Sequence, residues 1–102
     1  MKKYYLVDNK KFDEEGFYDK LNDVLEDFVD RNYDKILDER YGKINIAGCD
    51  FDASRILREL DPILYNVHIS DIKNEYYEEE KYFIEKDKKR YVAGFIFEII
   101  EE

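Results

Sequence analysis

An α+β fold is predicted for this 102-residue chain. It is a small, mostly antiparallel sheet with one long amphipathic acidic helix and a shorter helical pair. Three observations predict it. Residues 13–39 repeat apolar side chains at helical spacing with acids opposite them. Asp61-Pro62 is a helix start that follows a short helical stretch, Ala53 to Leu60. The two ends of the chain, Tyr4 to Val7 and Arg90 to Ile100, are β in composition.

Taken in order, Tyr4 to Val7 reads as a short strand, Asp8-Asn9 as a turn and Lys10 to Phe12 as a return strand. A helix starts near Asp13, with Glu14 and Glu15 in its first turn, where acids complement the macrodipole. Its apolar stripe is Phe17, Tyr18, Leu21, Val24, Leu25, Phe28, Val29 and Ile36. Leu37 and Tyr41 drift to the acidic side. That predicts a break near Asn32-Tyr33, or a last turn buried differently, and Gly42 is the expected C-cap.

Lys43 to Ala47 alternates as a strand and ends at Gly48. Asp50-Phe51-Asp52 reads as a turn, with Asp52 or Ser54 as cap of the Ala53–Leu60 helix. Residues 63–72 alternate as a strand would, yet the Asp-Pro start favours helix. Tyr82 to Glu85 and Arg90 to Ile100 are expected to pair across the charged turn Asp87-Lys88-Lys89. Tyr91 to Ile100 is apolar on both faces apart from Glu98, so it should be central in its sheet or covered by a second copy. A homodimer through this C-terminal hairpin follows as an expectation.

The size is that of a single domain, residues 1–102, with one core. The chain is 44% hydrophobic and 42% charged, with ten Tyr and seven Phe, a composition that separates inside from outside sharply. One Cys argues against a disulfide-built domain. No run reaches the roughly 20 apolar residues of a membrane span, and the first residues lack a signal-peptide core. The cytoplasm is the expected compartment. A net charge of −9 argues against direct contact with nucleic acid or an anionic membrane. It favours a basic protein instead.

The charge is concentrated. Residues 13–39 hold 11 acids and 3 bases. Asp19, Asp23, Asp27, Asp30, Asp34 and Asp38 follow one another at steps of four or three, and Glu26 lies beside them. At about 100° per residue they form one stripe. Successive carboxylates four residues apart rise about 6 Å, a spacing of the same order as phosphates along one nucleic-acid strand. These seven acids are the candidate partner-binding residues, and Tyr33 is the candidate exposed aromatic anchor.

No other group carries comparable chemistry. Asp50 and Asp52 beside Cys49 lack the spacing of a metal site and read as turn and cap residues. Cys49 is expected to be a small buried hydrophobe, and His68 a satisfied structural residue. Glu75, Glu78, Glu79 and Glu80, with Tyr76 and Tyr77, form a second acidic patch. There is no phosphate loop or nucleophile elbow. Neither catalysis nor a cofactor is expected.

One segment, about residues 33–71, carries a resemblance. It reads Tyr33-Asp34, Leu37-Asp38-Glu39, Tyr41-Gly42, Ile44, Ile46, Gly48, Ala53-Ser54, Leu57, Asp61-Pro62-Ile63 and Tyr65. It resembles small acidic proteins of phages and prophages, anti-CRISPR proteins among them. The resemblance brings no catalytic residues. It implies an inhibitor of host defence acting on a basic CRISPR effector, as a nucleic-acid mimic. An immunity-type inhibitor of a basic nuclease, or a small metal-dependent phage enzyme using Asp50, Asp52 and His68, are the alternatives.

Overall fold

A computed structural model describes residues 2–102. The elements are β1 (Lys3–Val7), β2 (Lys10–Phe12), α1 (Glu14–Tyr41), β3 (Lys43–Ile46), β4 (Cys49–Asp52), α2 (Ala53–Leu60), α3 (Pro62–Asp87), β5 (Lys89–Val92) and β6 (Phe95–Glu101). The fold is α+β, with a four-stranded antiparallel sheet, a two-stranded sheet and one helix of 28 residues. Among the described residues no helix is long and apolar enough to cross a membrane. Two compact units are present. The first runs to Phe28 and resumes at Lys73; the second is Val29–Ile72.

The first unit holds the sheet, in the order β2-β1-β6-β5. Strand β1 sets Val7 opposite Phe97 and Tyr5 opposite Ile99, and β5 sets Val92 opposite Phe95. Alternation therefore sends Val7, Val92, Phe97 and Ile99 to one face. They form a core with Phe17, Leu21, Val24 and Leu25 of α1 and Ile84 of α3. Phe17 is wholly buried, with ring centroids 5.2 Å from Tyr5 and 5.5 Å from Phe97. Such a side chain contributes about 1.5–3 kcal/mol by leaving water.

The C-terminal quarter differs from the expectation. Tyr82 to Glu85 is helix, because Tyr76, Tyr77 and Ile84 recur at helical spacing on the core, and this outranks the β leaning of Tyr82-Phe83. The charged turn remains, with Lys88 at a φ of 66°, but it links a helix to a strand. Arg90 to Ile100 is two strands, joined at Ala93-Gly94. Strand β6 is central, between β1 and β5, as its composition requires. Arg90 reaches back to α3, with its guanidinium bonded to both Glu80 oxygens and 4.5 Å from the Phe83 ring.

In the second unit, α1 continues unbroken through Asn32-Tyr33 to Tyr41. Its buried side chains here are Val29, Tyr33, Ile36 and Leu37. The buried stripe has rotated around the helix, so the expected alternative, a last turn buried differently, is the one found. Gly42, with φ 68°, closes the helix by donating to the Asp38 carbonyl at 2.9 Å. Residues 49–52 form a return strand and not a turn. The register pairs Lys43 with Asp52, Ile44 with Phe51, Asn45 with Asp50 and Ile46 with Cys49. Residues 63–72 are helical. Asp61 accepts the Leu64 N–H at 3.0 Å as N-cap, and Pro62 follows as first helical residue.

All three hairpins turn on a pair of residues with positive φ: Asp8-Asn9 (49°, 68°), Ala47-Gly48 (53°, 84°) and Ala93-Gly94 (47°, 94°). This is the pattern of two-residue turns whose twist matches the strands.

Candidate acidic interface on helix α1

Asp13 starts α1 by accepting the Gly16 N–H at 2.7 Å, which satisfies one of the orphan donors of the first turn. From there the phase of the helix is set by Phe17, Leu21, Val24 and Leu25, which are buried in the first unit. Asp19, Asp23, Glu26 and Asp27 then face away from the core and are exposed. Asn22 donates to Glu26 at 3.3 Å. Asp19 and Asp23 have no ion pair or hydrogen-bonded partner among the described residues. Their mutual repulsion costs about 0.2–0.5 kcal/mol, which a cationic partner would relieve.

In the second unit only Asp30 of the predicted site residues is exposed. Asp34 accepts Arg58 Nη1 at 2.9 Å through one oxygen and the Tyr65 hydroxyl at 2.7 Å through the other. Asp38 is half-buried and accepts the Ser54 N–H at 2.9 Å. That bond falls in the first turn of α2, so Asp38 supplies the cap from another helix. The expected caps do not: Asp52 makes no side-chain cap bond and pairs with Lys43 instead, and Ser54 is the residue being capped.

Tyr33 is not an exposed anchor. It is 3% exposed, its ring lies 4.8 Å from that of Tyr65 and its hydroxyl donates to the Tyr65 carbonyl. Burial, then the neighbouring Tyr65 and Asp34, push its ionisation up to about 12. The same rotation of α1 that buries Leu37 buries Tyr33, and it brings Asp34 and Asp38 into structural bonds. Nothing in the sequence pointed to Ser54, Arg58 and Tyr65 as the partners of these aspartates. The one available signal was Leu37, an apolar residue among aspartates, which marks a face that must be covered.

No match was found when the chain was compared with known families, curated proteins and solved structures. Its chemistry must be read from its own residues.

Elsewhere the first unit adds to the acidic character. A groove of about 340 Å³ is lined by Phe28, Tyr76, Glu79, Glu80 and Tyr91 among others, with the Phe28 and Tyr76 rings 6.3 Å apart. The second acidic patch therefore lies on helix α3, and Glu80 within it is taken by Arg90. Tyr18 donates to Glu85 at 3.0 Å; burial, then that carboxylate, raises its ionisation well above the usual tyrosine range. Asp50 accepts from Asn45 at 3.0 Å. His68 is half-buried, its ring 6.3 Å from that of Tyr41. Cys49, expected to be buried, is exposed, because its strand lies on the surface. Among the described residues no group of three His, Cys, Asp or Glu side chains could hold a metal ion.

Proposed function

We propose that this protein is a phage-encoded stoichiometric inhibitor of a host defence system, of the anti-CRISPR type. It would lay the exposed acids of α1 on a basic, nucleic-acid-binding surface of a CRISPR effector. The observation that carries this reading is the pair Asp19 and Asp23. They stand four residues apart on one helix, exposed and without a cationic partner among the described residues, and Glu26 and Asp27 continue the exposed acids within the same unit.

An unneutralised pair at helical pitch, continued by further exposed acids, offers a basic channel regularly spaced negative charge on one helix. Such charges raise association rates and are strongly screened by salt. A chain built only for solubility would intersperse lysines and avoid the repulsion. Asp34 and Asp38 are subtracted from the earlier set, since their oxygens already serve Arg58, Tyr65 and Ser54. Tyr33 leaves with them.

The test is capture of the partner from infected or lysogenic host cells by the tagged full chain, followed by reversal of Asp19, Asp23 and Glu26 to Lys. These positions are exposed, so the variant should keep its circular dichroism and melting cooperativity. It should lose the partner and the block on defence. A folded triple variant that inhibits as well as the parent removes α1 as the contact.

A further inference from the structure

We propose that the second unit is a self-association surface, on which α2 of one chain packs against α2 of a second copy. The β3–β4 hairpin has two unlike faces. Lys43 with Asp52 and Asn45 with Asp50 pair on one; Ile44, Ile46, Cys49 and Phe51 share the other. A two-stranded hairpin is marginally stable alone and needs its apolar face covered. Here the cover is incomplete. Between this face and α2 runs a groove of about 170 Å³, lined by Ile46, Phe51, Arg55, Ile56, Glu59 and Leu60. Ile46 is 47% exposed and Leu60 74%, which leaves apolar surface in water where it would favour an interface.

The rim of the groove identifies the occupant. Arg55 and Glu59 stand one helical turn apart, Nε to Oε1 at 3.3 Å, both largely exposed. Such an exposed pair contributes little by itself. A two-fold axis near its midpoint, with the two α2 helices antiparallel, sets each Arg55 against the partner's Glu59. One cation and one anion at a single helical step is a self-complementary rim, the requirement of an isologous contact. A uniformly basic or acidic partner would find half of it repulsive. Charge favours the same choice: the second unit carries 9 acids and 6 bases, the first 17 and 11. Two copies therefore meet with least repulsion through the second. The other apolar surface, the open sheet face with Tyr91, Ile96 and Ile100, carries Glu98 among them. Covering that face would take a carboxylate out of water.

A contact made by one eight-residue helix and a two-stranded hairpin belongs with weak, transient interfaces, so the test is analytical ultracentrifugation of the full chain over a wide concentration range. The parent should show a concentration-dependent dimer. Leu60→Glu, at an exposed position, should weaken it about tenfold or more with unchanged circular dichroism. R55E and E59R should each weaken it, and an equimolar mixture of the two should recover it, because only the mixed pair restores opposite charges across the axis. The proposal is overturned by a chain that stays monomeric throughout, or by a mixture no stronger than its components. It is equally overturned by a dimer that survives Leu60→Glu and is lost in Ile96→Lys, which would place the contact on the sheet.

Discussion

The Tyr65 hydroxyl donates to Asp34 Oδ1 at 2.7 Å, tying the first full turn of α3 to the acidic row of α1. With Arg58 on the other oxygen, this carboxylate is a structural crosslink of the second unit and not a free surface charge.

Asp34 and Asp23 should therefore separate cleanly, although both belong to one aspartate row. Asp34→Ala strands the Tyr65 hydroxyl and the Arg58 guanidinium and should cost about 1–2 kcal/mol, moderated by its partial exposure. Asp23→Ala should lie within about 0.5 kcal/mol of the parent, on the stabilising side at low salt. Urea denaturation at two salt concentrations measures both. Equal losses would mean that the row is uniform and that the bonds of Asp34 contribute nothing.

Asp38→Ala removes a cap supplied in trans and should cost about 0.5–2 kcal/mol, while Asp38→Asn, which keeps the acceptor, should retain most of the stability. The melting temperatures of the two variants decide it. If both fall alike, the charge matters and the hydrogen bond does not.

Alkaline stability should depend on Tyr33. Its ionisation is pushed up to about 12 in the folded chain, against about 10 for a free tyrosine. Between those values the folded state holds a proton that the unfolded state has released. This contribution is present below about pH 10 and is lost as pH rises towards 12. Tyr33→Phe should flatten that decline in a pH series of denaturation curves. The latest part of the tyrosinate absorbance titration should shrink with it.

Ala93 sits at a φ of 47° and precedes Gly94 at 94°, a turn that favours Asn-Gly. An L-alanine there is strained by roughly 1 kcal/mol, so Ala93→Asn should stabilise the chain by some tenths to about 1 kcal/mol. Thermal denaturation reads the gain directly. No gain would mean that the methyl of Ala93 contributes packing which the turn needs.

These alanine turns also explain what was legible in advance. The long helix, its cap region, the Asp61-Pro62 start and the span Ala53–Leu60 could be read from periodicity and capping chemistry. Strand β4 and the division of Tyr91–Ile100 could not, because Ala-Gly carries no turn signature. Arg90 to Ile100 was therefore read straight through its turn, and Asp50 to Asp52, beyond Gly48, as turn and cap instead of a return strand. Tyr82-Phe83-Ile84 misled for another reason: three β-favouring side chains in a row outweighed the longer spacing that ties Ile84 to Tyr77. In the acidic row, position on the helical wheel separated acids from apolar residues. It could not reveal that Ser54, Arg58 and Tyr65 would reach Asp34 and Asp38, since those contacts join residues 16 to 31 positions apart.

Strand β1 pairs along its whole length with β6, so Lys3 faces Glu101 and Val7 faces Phe97. Strand β1 must wait for β6, more than 80 residues later in the chain, to be made. Until then its inner edge is unpaired, and Phe17, Leu21 and Val24 have no sheet to cover. The first unit can close only once β6 is in place. A truncation that removes β6 should therefore leave a collapsed, sticky precursor.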